Sequence, residues 1–189
     1  YLIIFDWHED LIIMDSEYNP NKVAFYQIKG KQSGNWTITM LIKSHNDSKG
    51  SPLLSIIGKL YDCKSKFEME TTSLNFVSNA RFFVTLDDSS SSLSRDDICI
   101  IELAKSEKDR IKSKLNSEHN LSSAPIFEDI TFLKVLDLSL SDSSTHTKGK
   151  IANFLDVIVP AKKFHVPSVY RMLFDEIKRR ATYHKDILT

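Results

Sequence analysis

Cysteine is scarce in this chain: Cys63 and Cys99 are the whole complement, far apart in 189 residues. Their spacing offers neither a close metal-ligand pair nor a disulfide framework, so a reduced, cytoplasmic setting is expected. An excess of charge of either sign is also missing, because 25 Lys and Arg balance 25 Asp and Glu. Nucleic-acid binding driven by net charge is thereby excluded, and any such contact must come from a local basic patch. Long apolar runs are absent as well. The opening Leu2-Ile3-Ile4-Phe5 is far too short to span a membrane, and no basic stretch precedes it. No internal repeat or domain-scale linker is visible. What is present, 41% apolar and 10% aromatic residues, suffices for a sizeable core. The length predicts a single domain over residues 1–189, and the opening on Tyr1 predicts an N-terminally truncated fragment of a larger protein.

The first third reads as strands. Residues 1–5, 10–15 (DLIIMD) and 22–29 (KVAFYQIK) are short apolar runs rich in β-branched and aromatic residues, with Ser-Glu-Tyr-Asn-Pro-Asn as a turn between the last two. Thr37 is an expected N-cap for a helix running to about Lys43. After a polar break at 45–51, Ser51-Pro52 predicts the start of an amphipathic helix through about Lys64, with Leu53, Ile56, Ile57, Leu60 and Tyr61 at helical spacing. Residues 73–78 alternate as a strand, 87–97 read as a Ser/Asp-rich surface loop whose Ser-rich part, 89–94, is expected to be disordered or a flexible edge, 98–103 as a buried strand and 106–116 as a helix. A strand at 129–137 and helices at 143–158 and 167–184 complete the order. That order predicts an α/β fold, a sheet packed by helices.

One constellation carries chemistry. Gln27 and Lys29 alternate with Ile28 and so project from one face of their strand. Asp10 opens the preceding strand, and pairing through the intervening turn brings it near Gln27. A carboxylate and an amide oxygen suit a hard cation such as Mg²⁺ or Mn²⁺. Such a cation activates water and polarises phosphate, while the Lys29 ammonium positions that water or neutralises charge at the phosphorus. Polar groups interrupting an otherwise apolar strand need a reason to be there. The plain alternative is a strand-start acid beside an exposed strand face.

The spacing of Asp10, sixteen residues, then Gln27-Ile28-Lys29 resembles the restriction-endonuclease-like PD-(D/E)xK superfamily. More narrowly, FDWHEDLIIMD, VAFYQIKGK, NWTITMLIK, SIIGKLYD and LNFVSNARF resemble the double-stranded-DNA endonuclease domain of CD-NTase-associated (CBASS) anti-phage effectors. That domain is also found with STAND NTPases and HerA-like ATPases. The resemblance implies a restriction-endonuclease-like mixed sheet flanked by helices. It further implies a metal-dependent endonuclease cutting double-stranded DNA, and with no groove-reading motif visible, low sequence specificity is expected. The enzyme would be controlled by a sensor or NTPase module outside this stretch, and would self-associate on activation. Gln27 departs from the pattern, standing where Glu or Asp is usual, so another acid is expected to help: Asp6, Glu9 or a residue upstream.

Around this core of Asp10, Gln27 and Lys29, the residues Lys31, Lys43, Ser78 and Asn79 are candidate DNA contacts, with a turn role the equal alternative for Ser78-Asn79. His8, a ligand or general base in the sharper reading, is expected to be structural or solvent-facing, Trp7 and Trp36 to pack in the core, and the C-terminal Lys/Arg pairs to line a solvated helix face. The rival function is a catalytically inactive nucleic-acid-binding or interaction domain of the same fold within a larger NTPase assembly.

Overall fold

The computed structural model describes residues 2–5, 10–67, 71–136 and 143–182. The chain divides into two compact units, Tyr1–Leu136 and Asp137–Thr189.

The first unit is built on a six-stranded mixed sheet. Strands β1 (Leu2–Phe5), β2 (Leu11–Met14) and β3 (Val23–Ile28) form an antiparallel meander from the three short apolar runs. A short helix, α1 (Ile38–Leu41), follows, with the Thr37 hydroxyl accepting the Met40 amide at its N-terminus. Next come a two-residue hairpin, β4 (His45–Asn46) with β5 (Pro52–Leu53), and helix α2 (Ile56–Lys66). The chain returns as β6 (Thr71–Ser78), parallel to β3. It then runs through β7 (Asp97–Cys99) and α3 (Lys105–His119) to β8 (Thr131–Val135), parallel to β6 and antiparallel to β7. The sheet order is β1-β2-β3-β6-β8-β7. Helix α2 packs on β3, β6 and α3, so one sheet face is covered by helices. The result is an α/β fold consistent with restriction-endonuclease-like architecture.

The core forms where that face meets the helices. Ile12, Phe25, Leu74, Phe76 and Leu133 from the strands are fully buried with Ile57 and Leu60 of α2 and Ile111 and Leu115 of α3. Each such side chain contributes roughly 1.5–3 kcal/mol by leaving water. Both cysteines are free thiols, Cys63 buried in this core and Cys99 half-buried.

Three segments differ from expectation. Ser51-Pro52 does not open α2: Pro52 pairs with Asn46 in the hairpin, and the helix starts at Ile56. Ser55 is the N-cap, its hydroxyl accepting the Gly58 amide at 3.0 Å. Residues 98–103 are a strand only to Cys99, after which Ile100–Glu102 turn as a 3₁₀ helix closed by Glu102 onto the Cys99 amide. The Ser-rich stretch is not a loose edge. Arg95 pairs with Asp88 and Glu102, and buried Ser92 accepts the Val84 amide at 3.1 Å.

The second unit is a pair of helices, α4 (Ser143–Ile158) and α5 (Val166–Thr182), packed on each other. Tyr170 stacks on Phe174, and Lys148 lies over the Tyr170 ring. Among the described residues no helix is long and apolar enough to cross a membrane.

Candidate active site

The turn between β2 and β3 sets the geometry. Asp15 Oδ1 accepts the backbone amides of Asn21 (2.9 Å) and Lys22 (3.0 Å), and the Asp15 amide donates to the Lys22 carbonyl. This clamp holds the register Leu11 to Tyr26, Ile12 to Phe25 and Met14 to Val23. Continued by one residue, it sets Asp10 opposite Gln27. Side chains alternate, so Ile12 and Met14 share a face with Val23, Phe25 and Gln27, and Asp10 stands just before β2 at the end of that face. A slip of one residue would send Gln27 to the other face.

Asp10 is anchored on the neighbouring strand. Its Oδ2 accepts the Ile28 amide at 2.5 Å. Among the described residues its Oδ1 takes no hydrogen bond and remains available.

Gln27 is 7% exposed, and its Oε1 is buried without a hydrogen-bond partner. An orphaned buried carbonyl oxygen costs about 1–3 kcal/mol, and sites that tolerate the cost often use the group. Asp10 Oδ1 and Gln27 Oε1 are the oxygen donors that a hard cation takes. Two donors are few, and among the described residues no cluster of three His, Cys, Asp or Glu could hold a metal. The auxiliary acids Asp6 and Glu9, with Trp7 and His8, lie outside the described residues.

Lys29 follows directly. Its amide donates to the Val77 carbonyl at 2.9 Å, which extends the parallel ladder and returns its side chain to the Gln27 face. Among the described residues the Lys29 ammonium has no carboxylate partner.

Ser78 and Asn79 hold this end of the sheet together. The Asn79 side-chain amide pairs twice with the Lys31 backbone: Oδ1 accepts its N–H at 2.8 Å, and Nδ2 donates to its carbonyl at 2.9 Å. Ser78 is 1% exposed, and its hydroxyl oxygen accepts the Trp36 indole N–H at 2.8 Å and the Ala80 amide. Trp36 also packs edge-on against Phe76 at 5.0 Å. The polar groups of Ser78 and Asn79 are thus turned on the protein, where they fix the path of the chain after Lys29. Lys31 is tethered too, its ammonium donating to the Asn35 carbonyl and lying 5.1 Å from the Trp36 ring centre. Lys43 is exposed at the end of α1.

A second polar cluster, unforeseen in the sequence, sits under the loop that follows α1. Glu118, with only 8% of its side chain exposed, accepts the Ser55 amide, the Ser55 hydroxyl and the Ser44 hydroxyl, each at 2.8 Å. Lys114 pairs with it from one turn back at 3.3 Å. Burial pushes the Glu118 carboxyl up, but the hydrogen bonds from Ser55, Ser44 and Lys114 outweigh it and hold the group below its ordinary value. No spacing signal marks this cluster, because its partners are 63 and 74 residues apart.

The family model for the Cap4 dsDNA endonuclease domain matches residues 1–181. No curated protein and no solved structure matches the chain.

Proposed function

The chain belongs to the Cap4 dsDNA endonuclease domain family and is a DNA endonuclease, and we propose that Asp10, Gln27 and Lys29 are its catalytic residues. The observation that carries this reading is the buried, unpartnered Gln27 Oε1, one residue before the amide that the Asp10 carboxylate accepts. A fold keeps such a group at a cost, and the cost is offset when a cation takes the oxygen.

Asp10 and Gln27 would hold Mg²⁺ or Mn²⁺, with a further acid, Asp6 or Glu9, completing the set. The bound ion supplies Lewis acidity toward the phosphate and a hydroxide-like water at neutral pH. Lys29 orients the attacking water and meets the negative charge that grows on the phosphoryl oxygens. The water oxygen bonds to phosphorus as one P–O ester bond breaks, leaving a phosphate monoester and a free hydroxyl. Ile28 assists indirectly, because its amide keeps the Asp10 carboxylate from swinging away. Basic groups near Lys29 meet phosphate, which carries no base identity, so sequence preference is low. The enzyme acts as an anti-phage effector, governed by a sensor or NTPase module elsewhere in its protein. Cutting both strands takes two such centres, which requires association of copies.

The test is cleavage of duplex DNA by the full-length protein with its activator, titrated with Mg²⁺ and Mn²⁺. Metal-dependent loss of duplex supports the reading. Full activity in chelator, or inertness with every metal and activator, overturns it and leaves the inactive binding domain.

A further inference from the structure

Beside Lys29 the first unit opens a cavity of about 400 Å³. Its walls combine two chemistries. Trp36 and Leu54 are among the groups that make it mostly apolar, while Lys29, Lys43, Lys59 and His45 bring positive or proton-donating groups. No Asp or Glu is among the described residues lining it. Among the described residues Lys43 and Lys59 join no ion pair, and His45 makes no side-chain hydrogen bond. Unpaired cations clustered around an apolar pocket repel each other, and an anionic ligand with an apolar body relieves both costs.

The position is as telling as the chemistry. Lys29 belongs to both the cavity and the catalytic trio. Lys59 stands on the first turn of α2, and His45 on the hairpin that precedes it. Glu118 ties Ser44, the residue before His45, to Ser55, the N-cap of the helix that carries Lys59. The basic rim is therefore mounted on a braced support. The volume lies at the small end of ligand pockets, matching one nucleotide rather than a duplex.

We propose that this cavity seats one nucleotide of the strand being cut, adjacent to the scissile phosphate, with Lys59 and His45 gripping its phosphate and Trp36 and Leu54 walling its sugar and base. The assignment rests on the nuclease reading of Lys29. It makes Lys59 and His45 positioning residues, which act on substrate placement and leave the bond-breaking groups alone.

The test separates the two. 5-Fluorotryptophan labelling gives a ¹⁹F signal for each tryptophan, and the Trp36 signal is assigned as the one lost in Trp36→Phe. In chelator, where nothing is cut, a short DNA duplex and a deoxynucleoside 5′-monophosphate are titrated separately. Both are expected to shift the Trp36 signal saturably. Leu54→Phe, which fills the cavity, should abolish the shift, while Lys59→Ala and His45→Ala should each weaken binding roughly tenfold. In steady state with metal, these two variants should raise KM by a similar factor and leave kcat within about twofold. An unmoved Trp36 signal in a protein that cuts DNA overturns the proposal. So does a loss confined to kcat. A response to the mononucleotide but not to the duplex overturns the assignment to the strand. A protein that binds both ligands but cuts no DNA with any metal sinks the nuclease reading alone.

Discussion

The Asp10 carboxylate accepts the Ile28 amide at 2.5 Å, so the acid just before β2 is fastened to the neighbouring strand between Gln27 and Lys29. This bond separates what the carboxylate does for folding from what it does for chemistry. Asn at position 10 keeps an oxygen for the Ile28 amide and loses the charge. Asp10→Asn should therefore melt within about 2 °C of wild type and lose cleavage by roughly 100-fold or more. Asp10→Ala should lose both, with about 1 kcal/mol of stability gone as the strand-end amide is left without its partner. Melting curves and duplex cleavage on the same preparations check the pair. Asp10→Asn cutting at the wild-type rate removes Asp10 from the site.

Lys29 is half-buried and its structural bond is made by its backbone, through the Val77 carbonyl. Lys29→Ala should thus keep the fold while cleavage falls roughly 10²–10³-fold. Lys29→Arg keeps the charge but changes its shape and reach, and should recover only part of the rate. Circular dichroism and cleavage rates decide. Normal cutting by Lys29→Ala would end the mechanism.

The strand faces on which the proposed site is drawn were legible because they rest on local rules. Strand alternation put Gln27 and Lys29 on one face, and the turn between β2 and β3 is built from its own neighbours, with Asp15 closing on Asn21 and Lys22. What stayed hidden depends on distant partners. Ser51-Pro52 carries a sound helix-start signal, yet α2 is capped at Ser55 and begins at Ile56, where Glu118, 63 residues on from Ser55, takes the Ser55 amide and hydroxyl. The order in the Ser-rich stretch comes from Arg95 reaching Asp88 and Glu102. Lys59 and His45 look like ordinary surface residues until the hairpin and α2 fold toward Lys29.

Glu118 should make stability depend on pH. Its carboxyl is held below the ordinary 4.5 by its hydrogen-bond donors, against the opposing pull of burial. A depressed folded pKa means the contribution is complete above 4.5 and disappears as pH falls through the lower folded value. Wild type should therefore lead Glu118→Gln in melting temperature at neutral pH, with the gap closing below the ordinary glutamate range. Thermal melts of both proteins across pH 2.5–7 measure this (a buffer range chosen to span roughly two units around the ordinary value). A gap that stays constant throughout would show that the carboxylate charge is not what matters.

Gly58 answers to the same cluster. A Cβ there would lie 2.1 Å from Glu118 Oε2 and 3.1 Å from Ser55 Oγ. Helix propensity alone favours Ala over Gly by about 1 kcal/mol. Gly58→Ala should nevertheless destabilise, because the carboxylate is fixed by Ser44, Ser55 and Lys114 and cannot step aside without breaking those bonds. In a Glu118→Ala background the same change should become neutral or stabilising. A double-mutant cycle by chemical denaturation gives the coupling, and additive effects would rule the clash out.

Gln27 offers the sharpest separation of function from stability, because its buried Oε1 has no partner. Methionine matches glutamine in length without carrying a polar oxygen. In chelator Gln27→Met should be as stable as wild type or more so, by about 1 kcal/mol, since an unsatisfied group has been removed. With metal it should cut far less. Gln27→Glu should behave oppositely. A buried carboxylate with no partner is costly, so the metal-free protein should melt early. Added Mn²⁺ or Mg²⁺ should then raise the melting temperature more than in wild type, because the ion now meets a charged ligand, and cleavage should persist. Differential scanning calorimetry with and without metal follows all three proteins. If metal stabilises Gln27→Glu no more than wild type, no ion sits at this oxygen, and the unpartnered carbonyl must have another explanation.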